Sequence, residues 1–476
     1  LDKPLFAEVL CDEYRDTNPL QDSILNALCP PSLFCVGDYD QSIYAFNGAD
    51  IGIISSFKHK YSDAQVVTLR KNYRSSKHIL HLANKVTEKN ERIYPKRLEV
   101  VKQGEFAPPK LIVYDELFLQ YQGIAKRIAT SNLPYEDTAI IFRNNSSADG
   151  IEASLRELNI PSKRKGSVSF FNTKEVSLLL DICSLVHNPR DMMAYIHTLS
   201  YGKGIGNSIA KDIYEALFAL GAGDCHKGMF EPDHTIRAYK QKHKNTQLGL
   251  FDDFFTLESQ GRFDAHISPS FASHPILQHP KIHKDGAMFL SDFYEMLHQI
   301  HHLKSPKTLV SYITQSPFFV GIMRSLANTR AKNKDGSIDS TRFDNVLESI
   351  NRKCKLLFDL SKNHNDLGKF LNAMILGSSE ATEGSGVHLL SVHASKGLEF
   401  QNVYVVDLME GRFPNRKLMS KSGSLEEERR LFYVAITRAK ENLILSFAKK
   451  DMLKNIDYAP SVFLYEGELL HKESVI

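Results

Sequence analysis

Residues 8–18 read Glu-Val-Leu-Cys-Asp-Glu-Tyr-Arg-Asp-Thr-Asn, an apolar run that delivers two adjacent carboxylates, Asp12 and Glu13. Two acids at the C-terminal end of a buried parallel strand can hold Mg²⁺ and polarise a water. Phosphoryl transfer needs that positioned charge more than it needs covalent help. The bland alternative is an N-cap pair on the following helix. Next comes Val36-Gly37-Asp38-Tyr39-Asp40-Gln41-Ser42-Ile43-Tyr44. The amide of Gln41 can donate to a phosphate oxygen and accept from a water, or simply brace a turn. Tyr44 and Phe46 stand two apart. They could stack the bases of a single strand, at ~1–3 kcal/mol per base, or pack in the core. Asn72-Tyr73-Arg74-Ser75-Ser76 supplies one arginine, and Val434-Ala435-Ile436-Thr437-Arg438-Ala439 supplies another. Guanidinium is planar, permanently charged and bidentate, which suits spread negative charge. Either arginine alone would read as a surface ion pair. Gly397 lets a backbone approach a ligand closely.

Two further blocks complete the series, His393-Ala394-Ser395-Lys396-Gly397-Leu398-Glu399-Phe400 and Glu427-Glu428-Arg429-Arg430-Leu431-Phe432-Tyr433 running into Arg438. The five blocks, in this order, closely resemble the motor motifs of superfamily 1 DNA helicases of the UvrD/Rep/PcrA type. The resemblance implies ATP and Mg²⁺ as cofactors, with Asp12 on the metal and Glu13 on the attacking water. It implies Gln41 as a sensor of nucleotide state, and Arg74 and Arg438 closing on the γ-phosphate. Tyr73 then resembles the adenine-stacking aromatic and Glu399 the ribose-contacting acid. Arg143, Asn145 and His393 match positions near the DNA backbone, beside Tyr44 and Phe46. The turn Gly202-Lys203-Gly204-Ile205-Gly206 resembles a Gly-Ile-Gly turn that faces a duplex phosphate, through Gly204 and Gly206, with a plain helix–helix turn as the alternative. The partners implied are single-stranded DNA and single/double-strand junctions, with 3′-to-5′ travel and work in DNA repair or replication restart. Three positions depart from the pattern. Arg15 stands where Gln is usual, Phe46 where Trp is usual, and Asn47 where Arg is usual.

The elements that must position these residues follow from hydrophobic period. Strands are expected at Phe6–Cys11, Ser32–Val36, Val66–Leu69, Lys110–Tyr114, Thr138–Arg143, Val387–Val392, Asn402–Leu408 and Leu443–Phe447. Helices are expected at Asn18–Leu28, Ser76–Lys89, Glu116–Thr130, Ser146–Leu158 (capped by Ser146 or Ser147), Glu175–Val186, Ile209–Leu217, Ala287–His301 and Glu426–Arg438. The fold class is α/β, with RecA-like motor domains and a large helical insertion in the second. Residues 1–69 read as the C-terminal part of the first motor domain, 70–171 and 384–476 as the two segments of the second, and 172–383 as the inserted helical subdomain. The glycine and serine residues 377–379 and 384–386 suit a hinge.

Composition excludes little beyond membrane spans. At 42% hydrophobic and 24% charged, the 476 residues are ordinary for a globular protein. No run approaches ~18 apolar residues. A net charge of +3 is too small to argue for nucleic acid. The basic runs Lys163–Lys165 and Arg237–Lys244 read as solvated surface, or as phosphate contacts. Six cysteines without Cys-x-x-Cys spacing fit a reducing cytoplasm, with Cys11 and Cys35 as small core residues. Ten of the nineteen histidines lie between His226 and His302, at spacings too irregular to favour a metal over solvated loops. Nowhere does the sequence contain the phosphate-binding loop G-x-x-x-x-G-K-[ST]. The chain therefore reads as an N-terminally truncated portion of a longer protein, inactive alone. Rival readings are a subunit of a RecB/AddA-type helicase-nuclease, or a non-catalytic DNA-binding fragment.

Overall fold

The strands with the most continuous apolar runs sit where a parallel sheet covered on both faces would place them. The computed structural model describes residues 6–28, 30–44, 48–91, 96–165, 168–239, 262–375, 386–420, 423–452 and 454–471. By compactness the chain divides into two units, Leu1–Val168 with Ala381–Ile476, and Ser169–Glu380.

In the first unit, β1 (Glu8–Cys11) and β2 (Ser32–Cys35) form a two-stranded parallel sheet, and the short β3 (Lys71–Asn72) and β4 (Glu99–Val100) form another. A six-stranded sheet is built from β5 (Lys110–Tyr114), β6 (Thr138–Phe142), β7 (Ser162–Arg164), β8 (Val387–Ser391), β9 (Phe400–Val405) and β10 (Ala439–Ala448). Its order is β5-β10-β9-β6-β8-β7, and every pairing is parallel. β6 is buried along its whole length, with Ile140 and Ile141 in the core beside Val403, Val405 and Leu445. The helix Leu425–Ile436 starts at Ser424, whose hydroxyl accepts from the Glu427 amide, and its first turn carries three glutamates that complement the helix dipole. It is buried through its last two turns and delivers Arg438 to the start of β10.

The second unit is helical. Helices Lys174–His187, Pro306–Gln315, Pro317–Ala331 and Ser340–Ser361 pack on one another. Two of them begin with Ser-Pro, the serine hydroxyl capping and the proline in a first-turn position where no amide donor is needed. Glu175 is fully buried between Arg330 Nη2 and Lys353 Nζ, each at 2.7 Å. Burial pulls its carboxyl upward, but the two cations win and hold it at about 2. Among the described residues no helix is long and apolar enough to cross a membrane.

The fold is α/β, with most elements within a few residues of their expected bounds, and four local expectations need correction. Val66–Leu69 is not a strand: Val67 and Leu69 are about four-fifths exposed, and pairing begins only at Lys71. The helix Asn145–Glu157 is preceded by Asn144, with no side-chain cap; Ser147 instead donates its hydroxyl to buried Asp407. Arg164 is not solvated, since its guanidinium is largely buried against Asp149 at 2.8 Å and Glu152 at 3.4 Å. Cys11 and Cys35 are only half-buried, as register partners on β1 and β2. Phe46, Asn47, residues 240–244, the hinge residues 377–379, 384 and 385, and the expected boundary at 383 lie outside the described residues.

Candidate nucleotide and nucleic-acid sites

The acid pair leaves the end of β1 in a defined geometry. The Glu13 backbone is left-handed, at φ 54°, and its amide donates to Asp12 Oδ1 at 2.8 Å. The Tyr14 amide donates to the Val36 carbonyl, and the Val36 amide to the Cys11 carbonyl, each at 2.8 Å. These bonds bring the acid pair and the turn after β2 out of the sheet side by side. Arg15 ion-pairs with Glu13, and its Nε lies 3.8 Å from Asp16 Oδ2. That same oxygen accepts from Lys396 Nζ at 2.5 Å. Lys396 thereby ties the acid motif to the Lys-Gly-Leu-Glu motif.

Gln41 sits in the single turn Tyr39–Gln41, and its Nε2 donates to Asp38 Oδ2 at 2.8 Å. Asp38 also pairs with Lys96. Burial raises the Asp38 carboxyl, and Lys96 beside it more than reverses the shift. Arg430 Nε donates to the Ser42 carbonyl at 3.0 Å, joining this turn to the helix that leads to Arg438. The Tyr44 ring lies under Lys396 Nζ, 4.6 Å from its centroid, and 6.1 Å from the His393 ring.

Arg74 and Arg438 are brought together across 364 residues of chain. Asn72 Oδ1 accepts from the amides of Arg74 (3.1 Å) and Ser75 (2.9 Å), closing a tight turn. That turn is strapped to β10: Ser75 Oγ donates to the Ala439 carbonyl at 2.8 Å, and the Ser76 amide to the Lys440 carbonyl at 3.0 Å. Arg438 is 1% exposed and donates to the carbonyls of Val434 (3.0 Å) and Leu398 (3.2 Å). Burial, then the like charge of Arg74, draws its guanidinium down to about 10. Arg74 Nε donates to Glu399 Oε2 at 2.6 Å, and Lys440 Nζ holds the other oxygen at 2.7 Å. These two cations hold the Glu399 carboxyl below its ordinary value. Gly397 has φ +82°, a conformation that favours glycine, and Tyr73 is 68% exposed beside this cluster in sequence.

The remaining expected residues are more dispersed. Arg143 is engaged by Glu428 through Nε (2.9 Å) and Nη2 (2.7 Å), and the Asn415 amide donates to the same carboxylate at 2.9 Å. Asn145 is exposed at the first position of its helix. Burial, then Arg143, holds His393 down to about 4. Gly204 and Gly206 lie in the helical unit; Gly204 has φ +81° and Gly206 caps the helix Asn207–Leu220 without a side-chain acceptor. Sequence reasoning assigned no role to Lys396, Lys440 or Glu428. Lys396 lay inside a quoted motif, whereas the partners of Lys440 and Glu428 are set only by folding.

Residues 67–450 match the UvrD-like helicase C-terminal domain, and residues 3–62 match the UvrD/REP helicase N-terminal domain. The chain belongs to the UvrD-like helicase family. It is 30% identical over 471 residues to the ATP-dependent DNA helicase PcrA of Leuconostoc citreum, covering 96% of this chain and 56% of that protein. It is 27% identical over 484 residues to DNA helicase II of Escherichia coli K12, covering 98% and 59%. A putative ATP-dependent DNA helicase, YjcD of Bacillus subtilis 168, is 29% identical over 454 residues, covering 93% and 51%. The chain thus spans a little over half the length of these relatives.

Proposed function

We propose that this chain forms part of an ATP-dependent 3′-to-5′ DNA translocase and helicase, working in the cytoplasm on single strands and single/double-strand junctions in repair or replication restart. The observation that carries this reading is the strap between the Arg74 turn and β10, which sets two arginines beside Glu399 on one α/β unit. In this reading residues 1–69 and 70–171 with 384–476 contribute to two motor domains, and 172–383 is an insertion. Arg74 and Arg438 neutralise charge on the phosphoryl group, Tyr73 stacks on the base, Glu399 receives the ribose, and Gln41 senses the nucleotide. Asp12 presents hard oxygens at an exposed strand end, a donor that suits Mg²⁺ held partly by substrate phosphates, with the exposed carboxylate of Glu13 beside it. Bound there, the ion would screen the charge of the phosphates. Glu13 would orient the attacking water and receive its proton. Tyr44 and Phe46, with Arg143, Asn145 and His393, would face the single strand, and Gly204 and Gly206 a duplex phosphate.

The test uses the complete gene product, because the 476 residues contain no Gly-Lys-Ser/Thr loop and are expected to turn over ATP poorly. Arg438→Ala should lower DNA-stimulated ATP turnover by roughly 10³-fold or more while nucleotide binding changes far less. Parallel loss of binding and turnover would make Arg438 structural, and absence of any DNA-stimulated turnover in the parent would sink the reading.

A further inference from the structure

We propose that Arg15 is an internal counter-ion that competes with the divalent cation for the acid pair, so that the metal is accepted only as Arg15 is drawn away from Glu13. The proposal rests on the reading of Asp12 as the metal ligand, with the adjoining carboxylate of Glu13 on the attacking water. The geometry is specific. Arg15 is 7% exposed, and Nη2 of its guanidinium is on Glu13 Oε2. Its Nε is buried without a hydrogen-bond acceptor, since the Asp16 oxygen 3.8 Å away is committed to Lys396. A guanidinium has five N–H donors in a planar fork. Here one terminal nitrogen is ion-paired with Glu13, and the buried Nε has no hydrogen-bond acceptor. A buried cation in that position leans on its one close partner, because losing it leaves an uncompensated charge.

The neighbourhood sharpens the competition. Lys396 already neutralises Asp16, and Arg438 senses the positive charge of Arg15. The position is therefore crowded with cations before any metal arrives. A divalent ion approaching Asp12 and Glu13 must displace Arg15 from the carboxylate or bind against its repulsion. The displaced guanidinium has donors free for an anion, and the phosphate that accompanies the metal is one. Arg15 would thus couple occupancy of the acid pair to arrival of metal and phosphate together.

Binding of Mn²⁺ alone to the full 476-residue chain, followed by the electron paramagnetic resonance signal of free Mn²⁺, tests this without ATP turnover. A neighbouring opposite charge changes a carboxylate's affinity for a proton by about one to three decades, and the same competition governs a metal. Arg15→Gln should therefore bind Mn²⁺ about tenfold more tightly than the parent, and Arg15→Lys, which keeps the charge, should stay near the parent. Arg15→Met, which keeps the packed stem, serves if Arg15→Gln does not fold. Unchanged affinity in the neutral variants, with binding lost in Asp12→Asn, would overturn the role of Arg15 and leave the metal site standing. Binding insensitive to Asp12→Asn would overturn the metal site itself, and the role of Arg15 with it.

Discussion

Burial holds the imidazoles of His274 and His393 at about 4, against 6.5 for a free histidine. Both are therefore neutral at physiological pH. His274 accepts from the Ile276 amide at 3.2 Å and faces the Gly228 carbonyl at 3.1 Å. The folded chain binds fewer protons at these sites than the unfolded chain between pH 6.5 and 4. Their stabilisation is fully present above pH 6.5 and is lost as pH falls toward 4. Glu175 behaves as a depressed carboxylate: its contribution is present above 4.5 and is lost as pH falls toward 2. Burial raises the Asp181 carboxyl to about 7, so its protonation stabilises the fold as pH falls through the same window and opposes the histidines. The histidine contribution to urea midpoints is therefore read between pH 7 and 4 as the difference between parent and variant, and that of Glu175 below 4.5. His274→Gln should remove roughly 2–3 kcal/mol of the loss on acidification through the histidine window. A pH dependence between 7 and 4 that is the same in the parent and in His274→Gln would contradict the buried neutral state of His274. None of this was legible in the sequence, where His274 was one of many irregularly spaced histidines. Asp12, Glu13, Gln41 and Gly397 stood out as candidates in the sequence because each lies within a short block. The grip of Lys440 on Glu399, or of Glu428 on Arg143, did not, because only folding joins those segments.

At the scale of elements, strand ends in the six-stranded sheet are fastened by a buried polar cluster centred on Asp407. Its backbone is left-handed, at φ 61°, just beyond β9. Its carboxylate accepts from Gln120 Nε2 at 2.7 Å, from Tyr121 Oη at 3.1 Å, from Ser147, and from Arg412 Nη2 at 2.7 Å. The donors come from helix Leu117–Ala129, helix Asn145–Glu157 and the loop after β9. The strands themselves were readable from continuous apolar runs, since burial on both faces leaves that signature. The expected serine cap at Asn145–Glu157 failed because Ser147 serves this cluster instead. Asp407→Ala should destabilise the first unit by about 3–5 kcal/mol, because it leaves the Arg412 charge buried without its partner. Asp407→Ala with Arg412→Leu should recover a large part of that loss, since no unpaired charge then remains. Denaturant unfolding of the single and double variants decides it, and additive losses would show that the two residues are not coupled.

For the whole molecule, the question is whether the helical unit is needed by the α/β unit it interrupts. The sheet argues that it is not. β7 and β8 are hydrogen-bonded neighbours, with Ser162 opposite Val387 and Arg164 opposite Leu389. The chain leaves the sheet after β7 and returns in the adjacent strand, so Ser169–Glu380 is an excursion between two neighbouring positions. Parallel neighbours require a crossover of about a dozen residues, and the segments on either side of the excursion already supply most of that length. The apolar core around β6, β8 and β9 is assembled from residues outside the excursion. Arg74, Arg438, Glu399, Asp12 and Glu13 all lie outside it as well. Replacing residues 169–380 by a short glycine-serine linker in the complete gene product should therefore leave DNA-stimulated ATP hydrolysis measurable, within about tenfold of the parent, a range equal to roughly 1.4 kcal/mol in barrier. Unwinding of a tailed duplex should change much more, because Gly204 and Gly206 leave with the deleted unit. A folded deletion protein with no ATP hydrolysis, though it still binds nucleotide, would show that the helical unit is part of the motor.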